Sequence, residues 1–160
     1  MTRRPATGEL ATLLALLDEA YDRRAWHGPT LRGALRGVSA AQAARRPGPG
    51  RHNVWELAVH CAYWKYAVRR RLTGERRGRF LLAGSNWFPR PVEVSERAWK
   101  RDLELLATEH RLLRETIAGL RPGALDGSVA GRRRAHMIRG IAAHDLYHAG
   151  QVSLTKRVVR

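Results

Sequence analysis

"NVWELAVHCAYWKYAVRRRL" (Asn53–Leu72) reads as one long helix, and the architecture of the chain follows from it. Asn53 is a favoured N-cap, and Glu56 three residues later has the spacing of a capping box. Leu57, His60, Trp64 and Ala67 step by three and four, so they share one face, and that face is the apolar one. A histidine among Leu and Trp at core spacing is directed inward. Downstream, "TGERRGRFLLAGSNWFPRPVEV" (Thr73–Val94) has scattered aromatics and no period. A connection this long inside one domain is often functional.

Working outward, periodicity marks three further long helices. The first is expected from about Thr7 to Trp26, with Leu10, Leu13, Leu14, Leu17 and Tyr21 on one side, ending at "HGP". A short turn "TLRGAL" follows, then a minor helix from Ser39, where "SAAQ" resembles a capping box. "RPGPG" (Arg46–Gly50) forbids helix before Asn53. The third long helix is expected from Ser95 to about Leu120, with Trp99, Leu103, Leu106, Leu113 and Ile117 inward. "RPGALDG" breaks it, and the last helix runs from about Arg132 to the end. No segment reads as a strand. Four long helices with one long crossover between the second and third imply an all-α four-helix bundle, a single domain over residues 1–160.

The 160 residues suffice for a sizeable core. No apolar run approaches the ~18 residues that a membrane span needs. The N-terminal stretch reads as an amphipathic helix carrying acids rather than a signal peptide. The lone Cys61 forms no intramolecular disulfide and fits a reducing cytoplasm as a small core residue. The net charge of +16 would suit nucleic acid, but of 30 basic residues only Lys65, Lys100 and Lys156 are lysines. That imbalance looks like codon bias in a GC-rich genome. The arginines are also dispersed, with clusters only at "VRRR" (Val68–Arg71) and "GRRRAH" (Gly131–His136). Both observations argue against a dedicated nucleic-acid partner, although a basic field would favour an anionic small substrate.

The last helix carries "HDLYHAGQ" (His144–Gln151), two histidines one turn apart. Its stripe of Met137, Ile141, His144, His148, Val152 and Thr155 directs both inward. HxxxH spacing can grip one metal ion, or mark two hydrogen-bonded core histidines. Nothing after His148 supplies a third ligand, and Asp145 stands where a zincin protease needs its glutamate. His136 lies about 12 Å along the axis from His144, too far to share an ion. His52 falls in a loop, His110 lacks a stripe to place it inside, and His27 reads as a helix-end residue. His60 remains, from a different helix and facing the same interior. Three imidazoles without cysteine suit Zn, Ni, Cu or Fe and leave positions open for water or substrate. Glu56, one turn before His60, and Gln151, near His148, are candidates to orient a ligand, with Glu56 equally readable as a helix cap. Asp145 and Tyr147 project to either side and offer lateral hydrogen bonds. No glycine-rich phosphate loop, nucleophile elbow, CxxC pair or EF-hand pattern competes.

"AWHGPTLRGALRGV" (Ala25–Val38), "PGRHNVWELAVHCAYW" (Pro49–Trp64) and above all "RGIAAHDLYHAGQVSLTKR" (Arg139–Arg157) resemble the DinB-like (DinB/YfiT) metalloenzymes across nearly the whole chain. The resemblance implies an up-down-down-up bundle, often a homodimer. It further implies a divalent metal, commonly Zn or Ni, held at the positions of His60, His144 and His148. The better understood relatives are transferases or isomerases that use low-molecular-weight thiols such as bacillithiol or mycothiol. A metal there lowers the thiol pKa, so that the thiolate attacks an electrophile. The expectation is therefore a metal-dependent thiol S-transferase, with a hydrolase that activates water next. The competing classes are a metal-binding stress-response protein without turnover and a basic nucleic-acid-binding bundle.

Overall fold

The computed structural model describes residues 8–76, 78–121, 123–129 and 132–159. Its first helix, α1 (Glu9–Tyr21), ends earlier than expected, and residues 22–30 form a loop with Trp26 97% exposed. After Tyr21 the next inward steps fall on Arg24, Ala25 and Gly28, which offer little to bury. The expected start at Thr7 lies outside the described residues. "TLRGAL" forms one helical turn, α2 (Leu31–Leu35), capped by the Thr30 hydroxyl accepting from Gly33 N at 3.0 Å. The minor helix α3 (Ala40–Ala44) starts after Ser39, whose hydroxyl accepts from Gln42 N. Gln42 donates its side chain to the Lys156 carbonyl instead of turning back, so half of the box forms.

Helix α4 (Val54–Thr73) has the full box: Asn53 Oδ1 accepts from Glu56 N, and the Glu56 carboxylate accepts from Asn53 N. It stops at Gly74, which takes the left-handed conformation that favours glycine. Helix α5 (Glu96–Ala118) follows Ser95, which caps Ala98 N at 3.2 Å. A two-residue ladder, β1 (Ser128–Val129) with β2 (Arg132–Arg133), precedes α6 (Arg134–Val158). Two residues carry no readable period, which is why the ladder was not expected from sequence.

Contacts between named residues fix the helix directions. Trp55 meets Asp102, and Arg69 meets Glu109, so α4 and α5 run parallel. Asp18 pairs with Arg114 while Tyr21 stacks on His110, so α1 opposes α5. His60 meets His148, with ring centroids 4.8 Å apart, while Val68 and Arg71 share a cleft with His136 and Met137, so α4 opposes α6. The topology is therefore up-down-down-up, and the parallel α4–α5 pair is what requires the long crossover of residues 74–95.

Two apolar clusters fill the bundle. One surrounds Trp55, Trp99, Phe80 and Phe88; the other joins Leu13, Leu17, Leu113, Ile117 and Ile138. At their boundary lies a polar belt that the sequence pattern hides. Lys65 and Asp145 are fully buried and bonded to each other, and His110 is buried in a stack on Tyr21, with ring centroids 3.7 Å apart. His110 thus lies inside although no stripe places it there. Burial, with the charges of Lys65 and Arg114 adding to it, pushes its imidazole down to about 3.

Candidate metal centre

The antiparallel α4–α6 contact brings His60, His144 and His148 together. His144 Nε2 lies 3.1 Å from His60 Nε2 and 3.1 Å from His148 Nε2. The three offer ligand atoms that all lie within 4.8 Å of one another, and among the described residues this is a group that fits a metal ion. The outer nitrogens explain why these Nε2 atoms turn inward. His60 Nδ1 donates to the Asn86 carbonyl at 2.8 Å, and His148 Nδ1 donates to Gln151 Oε1 at 2.6 Å. Each of these neutral rings then presents a lone pair at Nε2. His144 can donate to only one of its neighbours, so the triangle of nitrogens cannot be satisfied by hydrogen bonds alone. A cation among them removes the conflict. Three nitrogens about 2.0–2.1 Å from a tetrahedral Zn would stand roughly 3.3 Å apart, close to the observed spacing.

The electrostatics favour ligation as well. Burial, opposed by the hydrogen bond to Asn86 and aided by His148 and His52, brings His60 down to about 4. Burial and the two partner rings push His144 down to about 3, and burial lowers His148. All three are neutral at pH 7, the form that binds metal.

Asn86 and Trp87, from the crossover, complete the surroundings and were not singled out by sequence reasoning. Asn86 adopts φ 64°, a left-handed conformation that Asn tolerates, and turns its carbonyl toward His60. Its side-chain oxygen accepts from Trp64 Nε1 at 2.9 Å. Trp87 lies flat between His60 (3.8 Å) and His52 (3.6 Å). The signal available for both was "GSNWF" inside a long aperiodic segment.

The four accessory candidates separate by position. Gln151 touches His148 and donates to the Tyr147 hydroxyl at 3.2 Å, so these two residues form a chain leading from the ligand toward solvent. Glu56 contacts none of the three histidines. Besides capping α4, it binds the Arg46 guanidinium and His52 Nδ1, and these hydrogen bonds hold its carboxyl below the usual range despite burial. Its side chain is linked to the site through His52, which stacks on Trp87, which in turn stacks on His60. Asp145 turns away to Lys65. It shares a second group of nearby ligand atoms with Cys61 and His144, but burial raises both the Cys61 thiol and the Asp145 carboxyl, and Lys65 already supplies the cation. That group is core. His27 and His136 are exposed and stand apart from the triad.

The family model of the DinB superfamily matches residues 23–152, which include all three histidines, Asn86 and Gln151. No curated protein and no solved structure matches the chain.

Proposed function

The chain belongs to the DinB superfamily, and from that footing we propose that it is an enzyme dependent on one divalent transition metal, Zn or Ni before Fe or Cu. The observation that carries this reading is the triangle of three Nε2 atoms, two of them anchored from behind by Asn86 and Gln151. His60, His144 and His148 would hold the ion. Bound there, the metal would supply Lewis acidity and lower the pKa of a thiol or water.

This chain's own residues contribute orientation and dryness. Asn86 and Gln151 keep the protons of His60 and His148 on Nδ1, which leaves Nε2 free. Trp87 covers His60 and restricts water on that side. The half-exposed edge of His144 leaves an approach from the α4–α6 side. We favour a low-molecular-weight thiol as the activated molecule and an electrophile as its acceptor, with metal-assisted hydrolysis second. The basic surface, +16 overall, supports an anionic reactant. Among the described residues no helix is long and apolar enough to cross a membrane, and we place the protein in the cytoplasm on the strength of its single buried cysteine.

We also infer a homodimer through α6, where Leu146, Leu154 and Val158 are exposed at spacings of eight and four. Thiol consumption by metal-loaded and metal-free protein across a panel of electrophiles tests the reaction. Faster consumption by the loaded form is expected, and equal rates throughout would overturn it.

A further inference from the structure

The cleft beside His144 has a chemistry of its own. It encloses about 140 Å³ and is lined by Trp64, Val68 and Arg71 of α4 and by His136, Met137, Gly140, Ile141 and His144 of α6. A larger groove of about 690 Å³ runs along α5, but none of its walls is a histidine of the triad. The small cleft does open on a ligand residue. Its walls are apolar over most of their length. Gly140 puts no side chain into the cleft, and a Cβ there would meet nothing within 4 Å, so a larger residue at 140 could fill that space.

The end away from the triad is cationic. Arg71 is exposed and has no carboxylate in salt-bridge reach among the described residues, unlike Arg69 on the same helix. Its guanidinium carbon sits 5.6 Å from the Trp64 ring centroid, because helical side chains lean toward the N-terminus. The Trp64 ring in turn lies 6.2 Å from His144 and 6.4 Å from His60. One indole, anchored by Asn86, therefore bridges the metal ligands and an unpaired positive charge.

We propose that this cleft binds the reactant as a small amphipathic anion. A carboxylate ends at Arg71, a short aliphatic body lies over Trp64, Val68, Met137 and Ile141, and the head group reaches the triad at His144. The identity of that head as a thiol rests on the function proposed above; the carboxylate and the aliphatic body do not.

The test has two arms, and Met137 makes the first direct, since Met1 is the sole other methionine. Metal-free protein with ¹³C-labelled methionine methyls is titrated with hexanoate and with hexanol. The Met137 methyl is expected to respond to hexanoate at roughly tenfold lower concentration, the factor that one charge-assisted contact contributes. Arg71→Gln erases that preference, Gly140→Leu blocks both ligands, and Arg157→Gln, which removes equal charge at the far end of α6, changes nothing. An equal response to acid and alcohol, or a preference that survives Arg71→Gln, overturns the proposal. In the second arm, Co²⁺-loaded protein is titrated with 6-mercaptohexanoate and 6-mercaptohexanol while the thiolate-to-cobalt absorption is followed. Tighter binding of the acid, lost in Arg71→Gln, supports the full arrangement, and equal binding of the two contradicts it. No absorption with either thiol, alongside a positive first arm, removes the thiol reading and supports the anion cleft.

Discussion

His148 is held by two forces at once: its Nδ1–H donates to Gln151, and its Nε2 faces the other two imidazoles. Truncating Gln151 to Ala frees the ring to rotate and to change tautomer, so metal affinity is expected to fall about tenfold with the helix content unchanged. Isothermal titration with Zn²⁺ and far-UV circular dichroism measure the two quantities. Glu56 gives the opposite pattern. Glu56→Ala removes half of the capping box and leaves Arg46 and His52 without their partner, so stability should drop by about 1–2 kcal/mol. Zn²⁺ affinity should move little, because Glu56 touches no ligand; a large loss in that titration would make it part of the centre. The three histidines were accessible to sequence reasoning because each sits on an apolar stripe of a long helix. Asn86 and Trp87 were not, since a loop has no period from which a direction can be read.

Between helices, the instructive contact is the one that pattern conceals. Lys65 falls on no apolar stripe and Asp145 projects to the side of its helix, yet both are fully buried across the α4–α6 interface. Which charges pair inside a bundle depends on helix register, which no local spacing encodes. Removing one partner strands the other in a low-dielectric interior, and Lys65→Met alone is expected to cost about 3–5 kcal/mol in denaturant unfolding. The double change Lys65→Met with Asp145→Leu should recover most of that. Failure of the double variant to recover would mean that the pair organises the interface beyond mutual compensation. Helix starts, by contrast, were well legible: Asn53, Ser95 and Ser39 cap where their side-chain chemistry says they should. The early end of α1 at Tyr21 was not, because nothing stops that helix except the lack of a core to meet.

For the molecule as a whole, acid sensitivity follows from the buried imidazoles. His110, with its folded-state value near 3, binds protons more readily when unfolded, where histidine titrates near 6.5. Its contribution is present in full above pH 6.5 and is lost as pH falls from there toward about 3. His110→Phe keeps the stack on Tyr21 and removes the titration, so it should flatten stability between pH 6.5 and 4 in thermal melts; an unchanged slope would place the acid sensitivity elsewhere. In solution the proposed dimer should show about twice the 18.1 kDa chain mass by light scattering, and Leu154→Glu should return the single-chain mass. The central claim is that bundle topology exists here to bring His60 of α4 against His144 and His148 of α6 around one ion. Elemental analysis of untagged protein, purified without chelator and then offered Zn²⁺ or Ni²⁺, tests it most directly. About one ion per chain is expected, lost in His60→Ala, His144→Ala and His148→Ala while the helices persist. Wild-type protein that refuses both metals, or variants that remain fully loaded, would contradict it.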